Sequence, residues 1–291
     1  MNDVNDVIEA SYVKEALFYD RVRDGFVVCR LCPHVCRIAH GKTGLCGARV
    51  NIDGALFAES YGLISSLQLD PIEKKPLKRF YPGSLILSAG SYGCNMKCAY
   101  CQNHAISQQK PKTESVSPEE LLCAAKNTAG NIGIAFTYNE PLIGIEYIMD
   151  AAPLFRDAGL KVVLITNGMI NAEPLKALLP YTNAMNIDVK AFCATKYKKL
   201  AGDLSAVVKT VETCATACHV EITSLIVPGQ NDNVNDILAL AEWLAGISPE
   251  IPLHITRFFP RYRMSDGEPV PIKTLETLAE SARVVLKHVY F

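Results

Sequence analysis

The 291-residue sequence predicts an α/β protein, a partial (β/α)6 barrel of the TIM type carrying an N-terminal cysteine-rich metal-binding module. Three observations predict it. From Ser84 onward, short apolar runs alternate with amphipathic segments, the pattern of repeated βα units. The runs are nearly continuous in apolar residues, as expected of parallel strands covered on both faces. Ahead of that alternation, Cys29, Cys32, Cys36 and Cys46 crowd into one short stretch. Eight βα units would close a TIM barrel; six such units are read here, so the barrel is expected to stay open.

In chain order, residues 1–25 read as a mostly polar, partly helical leader (VKEALFYDRV). The next stretch, VVCRLCPHVCRIAHGKTGLCGARVNIDG, has the spacing C-x2-C-x3-C-x9-C, punctuated by Gly41 and Gly44. Four thiolates spaced in this way suit a closed tetrahedral zinc site or an auxiliary iron–sulfur cluster, and the spacing does not choose between them. His34 and His40 lie inside the module, and His34 is expected beside the site rather than on a metal. Residues 51–83 connect: ALFAESYG reads as a strand and LDPIEKKPLKRFYPGS as an extended, proline-containing loop. Its basic run of Lys74, Lys75, Lys78 and Arg79 reads as a solvated face, with docking to an acidic partner as the alternative. We therefore expect an N-terminal extension over 1–83 and the partial barrel over 84–291.

Strands are expected at 85–90, 131–138, 161–167, 184–190, 219–228 and 252–259. The intervening helices are SPEELLCAAKNTA, PLIGIEYIMDAAPLFRDAG, the segment near EPLKALLP, LSAVVKTVETCATAC, NVNDILALAEWLAG and IKTLETLAESARVVLKH. Ser117-Pro118 before Glu119 and Glu120 is a helix start, and Gly159 a helix stop. Cys123, Cys193, Cys214 and Cys218 read as packing residues, the last two sharing a helical face at i,i+4.

The chain is 49% apolar and 20% charged with a net charge of -1, the composition of an ordinary soluble globular protein. Such a balance gives no electrostatic case for nucleic acid or a membrane surface as the main partner. MNDVNDVIEA lacks the basic and apolar regions of a signal peptide, and no apolar stretch approaches the ~20 residues of a membrane helix. Eleven cysteines clustered at short spacings then read as metal ligands in a reducing cytoplasm.

The chain is organised around Cys94, Cys98 and Cys101, spaced C-x3-C-x2-C directly after the first barrel strand. Three thiolates can hold three irons of a [4Fe–4S] cube and leave the fourth open to a non-protein ligand. A three-thiolate zinc site with a remote fourth ligand is the alternative. In βα barrels the chemistry sits on loops at the C-terminal ends of strands. Those loops here carry Glu140 and Pro141 in TYNEP, Asn167 in TNG, and Asp188 and Lys190 in NIDVK. Glu140 also suits a helix N-terminus. Asn167 offers a donor and an acceptor. Asp188 and Lys190, two apart on a strand, face one side and suit the zwitterionic and hydroxyl groups of a ligand, or else form a structural ion pair. PGQND (228–232) is a turn after the fifth strand, placed to touch a nucleoside, and His254 reads equally as a core or a catalytic histidine. No catalytic residue beyond these cofactor positions is identified.

The cysteine triad, with Tyr100 before its last member, resembles the signature of the radical S-adenosylmethionine (SAM) superfamily. That resemblance implies a [4Fe–4S] cluster whose open iron is chelated by SAM, and an aromatic role for Tyr100. TYNEP matches in part a Gly-Gly-Glu-Pro stretch that holds the SAM amino group in the superfamily, keeping Glu140 and Pro141 without the two glycines. CAYCQN, TNG, IDVKAF and YKKLAG follow the order of glycyl-radical-enzyme activating enzymes such as pyruvate formate-lyase activating enzyme. This likeness implies that Asn103, Asp188 and Lys190 surround SAM. An aspartate that those enzymes carry on strand three is replaced here by Ile165. LCPHVC, GLCGARVN, LDPIEKKPL, FTYNEP and PLHITRFFPRYRM are similar to the radical SAM branch named for the AmmeMemoRadiSam system. Members of that branch run past a VY-x-GN ending, whereas this chain ends at Val289-Tyr290-Phe291, so the last strand is expected to be incomplete. The resemblance implies hydrogen abstraction from a substrate, either a glycine on a partner protein or a small molecule, and a flavodoxin- or ferredoxin-like reducing protein. A non-enzymatic iron–sulfur electron-transfer protein, or a zinc protein, is the rival reading.

Overall fold

The computed structural model describes residues 14–291. The N-terminal part is built from short antiparallel strands: β1 (Lys14–Glu15), β2 (Tyr19–Arg21), β3 (Val27–Cys29), β4 (Arg37–Ile38), β5 (Arg49–Ile52) and β6 (Ala55–Ala58). They form two three-stranded sheets, ordered β1-β6-β5 and β2-β3-β4. The segment VKEALFYDRV is thus not helical where it is described. Phe18 takes a positive φ of 57°, which a helix cannot contain, and the flanking residues pair as strands instead. The rest of the expected leader, residues 1–13, lies outside the described residues.

The connecting region holds β7 (Leu63–Ile64) and β8 (Ser66–Pro71), then β9 (Leu85–Gly90) opens the barrel. After β9 come α1 (His104–Ser107), β10 (Glu114–Ser115), α2 (Pro118–Asn127), β11 (Asn131–Phe136), α3 (Ile145–Asp157), β12 (Lys161–Thr166) and α4 (Ala172–Leu178). The remainder is β13 (Ala184–Asp188), α5 (Ala194–Lys199), α6 (Leu204–Ala215), β14 (His219–Ile226), α7 (Val234–Ile247), β15 (Leu253–Arg257), α8 (Ile272–Arg283) and β16 (Val289–Tyr290). One eight-stranded sheet runs β16-β15-β14-β13-β12-β11-β9-β8. Every pair in it is parallel except β8 with β9. Parallel strands that neighbour one another in chain order wind in one direction, as in a barrel, without the reversal of a doubly wound sheet. β8 and β16 do not pair, so the barrel is open.

All six expected barrel strands are present, because a run buried on both faces reads as continuously apolar; Ile134, Ala135, Val162, Val163, Leu164, Ala184, Met185 and Ile187 are fully buried. The start of α2 is a capping box: the Ser117 hydroxyl accepts from Glu120 N at 3.1 Å, and the Glu120 carboxylate accepts from Ser117 N at 2.7 Å. Three expectations are corrected. Leu69–Pro71 belong to a sheet strand, not to the extended loop. Of the basic run, Lys74, Lys78 and Arg79 are exposed, but Lys75 is buried, held by Asp70 at 2.8 Å. Cys123 lies exposed on α2, whereas Cys214 is buried and Cys218, just past the end of α6, packs half-buried against the same core, as expected.

His254 sits near the N-terminal end of β15, buried away from the barrel mouth, with Nε2 2.6 Å from Glu221. The fully buried Glu221 carboxylate also meets His219 Nε2 at 2.9 Å and accepts the backbone N–H groups of Lys78 and Arg79 at 3.0 and 2.7 Å, pinning the 72–84 loop to the sheet. Burial pushes this carboxyl up, but the bonds from His219, His254, Arg79 and Lys78 together outweigh it and hold the group at about 2, below its ordinary 4.5. As pH falls from 4.5 towards 2, the unfolded chain takes up a proton that the folded chain resists. The stabilisation is therefore full above 4.5 and lost across that window. Glu221→Gln is expected to cost about 2 kcal/mol at pH 7, because a donor then faces donors, and to flatten the pH dependence of the urea midpoint between pH 5 and 3 relative to wild type.

Candidate active site at the mouth of the open barrel

The loop after β9 turns back over the strand end and presents Cys94, Cys98 and Cys101 to a cavity of about 420 Å³. The same cavity is lined by Tyr100, Asn103, Glu140, Asn167, Asp188 and Lys190. Every residue expected at the cluster and cofactor is thus brought to one mouth, at the C-terminal ends of β9, β11, β12 and β13. The PGQND turn, expected to touch a nucleoside, does not line the cavity, and of the two readings of His254 the core one holds, since it is buried at the other end of its strand. Asn231 of that turn is buried and donates to Lys190 O at 3.1 Å, supporting the lysine from behind.

Glu140 holds the mouth together. Its buried carboxylate accepts from Leu142 N at 3.0 Å, Thr166 Oγ1 at 2.6 Å and Asn167 N at 2.7 Å, joining the loop after β11 to the end of β12. Burial raises its carboxyl to about 7 against the pull of those donors. Asn167, so fixed, donates to Asn95 Oδ1 at 2.9 Å and lies 3.6 Å from Cys94 Sγ. The Met96 N–H also points at Cys94 Sγ, at 3.3 Å, and Ser107 Oγ is 3.1 Å from Cys101 Sγ. Donors on ligand sulfurs are one lever on the potential of an iron–sulfur cluster. Lys190 Nζ lies 2.8 Å from Asp188 Oδ2, so the two form an ion pair whose groups also face the cavity. Asn103 donates to Tyr138 O at 2.8 Å.

The donor set fits a cluster with a ligand beside it. Three soft thiol ligands from one loop share a wall with Tyr100, whose buried hydroxyl has no hydrogen-bond partner among the described residues. Burial pushes the Cys94 and Cys98 thiols up, so metal uptake must displace protons from them.

Sequence reasoning missed the part that Tyr138 and Lys75 play in the lining. Tyr138 stands where the superfamily pattern has glycine, and its φ of 73° is the left-handed conformation that glycine adopts most readily. Its hydroxyl donates to Asp70 at 2.6 Å, and Lys75 Nζ packs over its ring at 4.4 Å. Lys75, Thr223, Thr256 and Arg257 also line the cavity. The run EKKPL reads as solvated, yet nearby Asp70 and the distant Tyr138 together draw Lys75 inward.

The N-terminal cysteines gather as well. Cys29, Cys32, Cys36 and Cys46 line a second, smaller cavity together with His34 and Arg49. His34 Nε2 is 2.7 Å from Asn95 O, consistent with a place beside the site, while His40 Nδ1 accepts from Asp53 N at 3.0 Å. Burial pushes the Cys32 and Cys46 thiols up to about 12 and about 11.

An open parallel barrel with three converging thiols at its C-terminal mouth defines a cofactor-dependent α/β enzyme class. The radical SAM superfamily model matches residues 89–244. An uncharacterised protein of Methanocaldococcus jannaschii, MJ0808, is 42% identical over 287 residues, covering 96% of this chain and 84% of that protein. Among solved structures, Streptococcus suis SuiB bound to S-adenosylmethionine aligns with a TM-score of 0.53 at 13% identity, over 69% of this chain and 47% of that chain. TYW1 with a lysine-pyruvate adduct bound aligns at 0.50 and 16% identity, over 68% and 74%. The chain belongs to the radical SAM superfamily. Among the described residues no helix is long and apolar enough to cross a membrane.

Glu140→Gln places an amide donor against Leu142 N, Thr166 Oγ1 or Asn167 N. The expected cost is about 2 kcal/mol, read in calorimetry as a fall in Tm of about 5 °C.

Proposed function

We propose that Cys94, Cys98 and Cys101 hold the [4Fe–4S] cluster and that Tyr100, Asn103, Glu140, Asn167, Asp188 and Lys190 form the SAM pocket around it. The observation that carries this reading is the convergence of all nine residues on one cavity. When bound, the cluster supplies the electron that splits SAM into methionine and a 5′-deoxyadenosyl radical, and that radical abstracts hydrogen from a substrate. The protein's part is placement and electrostatics. Lys190 and Asp188 face the cavity as a ready ion pair, able to meet the carboxylate and the amino or hydroxyl groups of the zwitterionic ligand. Glu140 fixes Asn167 and the two loops rather than offering a free carboxylate, since its oxygens already accept three donors.

For the substrate, the order of CAYCQN, TNG, IDVKAF and YKKLAG favours an activating-enzyme type of reaction, in which a glycine of a partner protein loses hydrogen. A small-molecule substrate is the second reading. It is favoured by the polar wall of Lys75, Thr223, Thr256 and Arg257, which leaves side chains beyond the proposed SAM pocket to hold a compact polar molecule. A flavodoxin- or ferredoxin-like protein would supply the electron. The N-terminal four-cysteine module is read as a further metal site, zinc or cluster, in the same cytoplasmic setting.

Anaerobic reconstitution with iron and sulfide, followed by dithionite and SAM, is expected to give 5′-deoxyadenosine from wild type and none from Cys98→Ala. Lys190→Ala is expected to keep its iron and raise the KM for SAM about tenfold, the loss of about 1.4 kcal/mol of binding. Product from Cys98→Ala at the wild-type rate would refute the assignment of the triad.

A further inference from the structure

The loop after β8 plugs the lower end of the barrel. Side chains alternate along a strand, so one set faces the helices and the other faces the lumen. On the lumen side, Ile72, Leu77 and Phe80 of this loop pack on Ile86, Ala135 and Val163. Asn186 of β13 donates to Pro76 O at 2.8 Å and fixes the plug from within. Lys75, next to Pro76, is 3% exposed and lines the cavity that the triad also lines. Its partner Asp70 pairs with Ile86 near the start of β9, whereas the triad follows the end of the same strand. Lys75 therefore stands at the foot of the space whose upper end holds the cysteines.

Cations reach this space from both edges of the open seam. Lys74 and Lys75 follow β8, which lies at one edge of the sheet. On the other side β16 pairs only with Leu253 and His254, so Thr256 and Arg257, further along β15, are left at the seam. All four line the cavity. Their charges are not matched. Lys74 and Lys75 share one carboxylate, Asp70, at 3.4 and 2.8 Å, and the Tyr138 hydroxyl donates to it as well. Arg257 Nε donates to Val270 O at 2.7 Å, a neutral carbonyl, and among the described residues Arg257 forms no ion pair. Nearer the triad no such excess exists, since Lys190 is paired with Asp188. Three cations around one carboxylate favour an anion in the space between them.

We propose that Lys75 and Arg257 bind the anionic group, a carboxylate or a phosphate, of a small-molecule substrate. With Nε occupied, the two Nη groups of Arg257 remain as a fork for paired oxygens, the geometry in which guanidinium recognises either anion. Lys75 adds a point charge whose place is fixed by Asp70 and by the Tyr138 ring, 4.4 Å from Nζ. The backbone around a glycine of a partner protein is uncharged and would leave these cations unused. The proposal takes the second reading of the substrate and rests on the radical SAM reading for the reaction, whereas binding of the anion requires neither.

The test is calorimetric titration of the full chain, reconstituted anaerobically and free of SAM, with inorganic phosphate and with acetate at constant ionic strength. Saturable binding of at least one is expected, and the tighter of the two tells a phosphate ester from a carboxylate. Arg257→Gln and Lys75→Met are each expected to weaken it about tenfold. Should Lys75→Met fail to fold with Asp70 left unpaired, Arg257→Gln, at a half-buried strand end, still gives the answer. No saturable binding of either anion by wild type, or wild-type affinity in either folded variant, would overturn the proposal. A Cys94→Ala/Cys98→Ala/Cys101→Ala variant is expected to keep the binding; its loss there would place the anion on the cluster and would also overturn it. If wild type makes no 5′-deoxyadenosine yet binds an anion with this dependence on Arg257, the radical SAM reading fails and the anion site stands.

Discussion

The mouth of the barrel depends on one buried carboxylate. A strand end has backbone groups with no further strand to pair them, and loops over an open cavity must find other partners for those groups. Glu140 supplies them, accepting from Leu142, Thr166 and Asn167 while its own N–H donates to Gly93 O at 3.3 Å. Three loops are thereby tied to one residue. Asn167 then reaches Asn95 and the Cys94 sulfur, so the position of the cysteine loop is inherited from the same anchor. The thiols themselves need no regular structure, only a loop whose ends cannot move.

The N-terminal region is fastened to this arrangement through a second buried charge. Arg49 pairs with Glu146 at the start of α3 at 2.9 Å, both side chains being almost fully buried. A buried ion pair of this kind contributes little net stability but makes loss of one partner costly, and so fixes which surfaces meet. Leu31 O and Arg30 O receive the N–H and side-chain amide of Asn171, a second attachment to the barrel beyond β12. The four-cysteine module is therefore held in one place against the loop that bears Cys94, a relation that neither cysteine pattern announces. Gly93 makes the contact sterically possible, since any side chain there would collide with Cys46 O.

What could be read from the sequence divides along a physical line. The barrel strands were legible because burial on both faces leaves a continuous apolar run, and the triad because its three ligands lie within one short loop. Asp188 was legible from strand alternation, whereas Lys190, also expected on the strand, faces the same cavity from just past the end of β13. What could not be read depends on residues far apart in the chain. Lys75 looks like part of a solvated run until Tyr138, far along the chain, closes over it beside the neighbouring Asp70. Glu140 caps the helical turn that follows it, as its sequence position suggested, but its bonds to Thr166 and Asn167 could not be read. The segment VKEALFYDRV has helical periodicity, yet strand pairing with β6 and β3 and the positive φ of Phe18 decide its conformation. Arg49 carries no local signal, because its role follows from Glu146 and from four cysteines brought together only by folding.

A cluster on the triad, as proposed, would keep one iron open to SAM. The most direct measurement is electron paramagnetic resonance of the anaerobically reconstituted, reduced protein with and without SAM, repeated with SAM labelled with 15N at the amino group and 17O at the carboxylate. SAM is expected to shift the signal assigned to Cys94, Cys98 and Cys101, and both labels to give hyperfine couplings to it. A reduced cluster whose signal is unchanged by saturating SAM, with no coupling from either label, would contradict it.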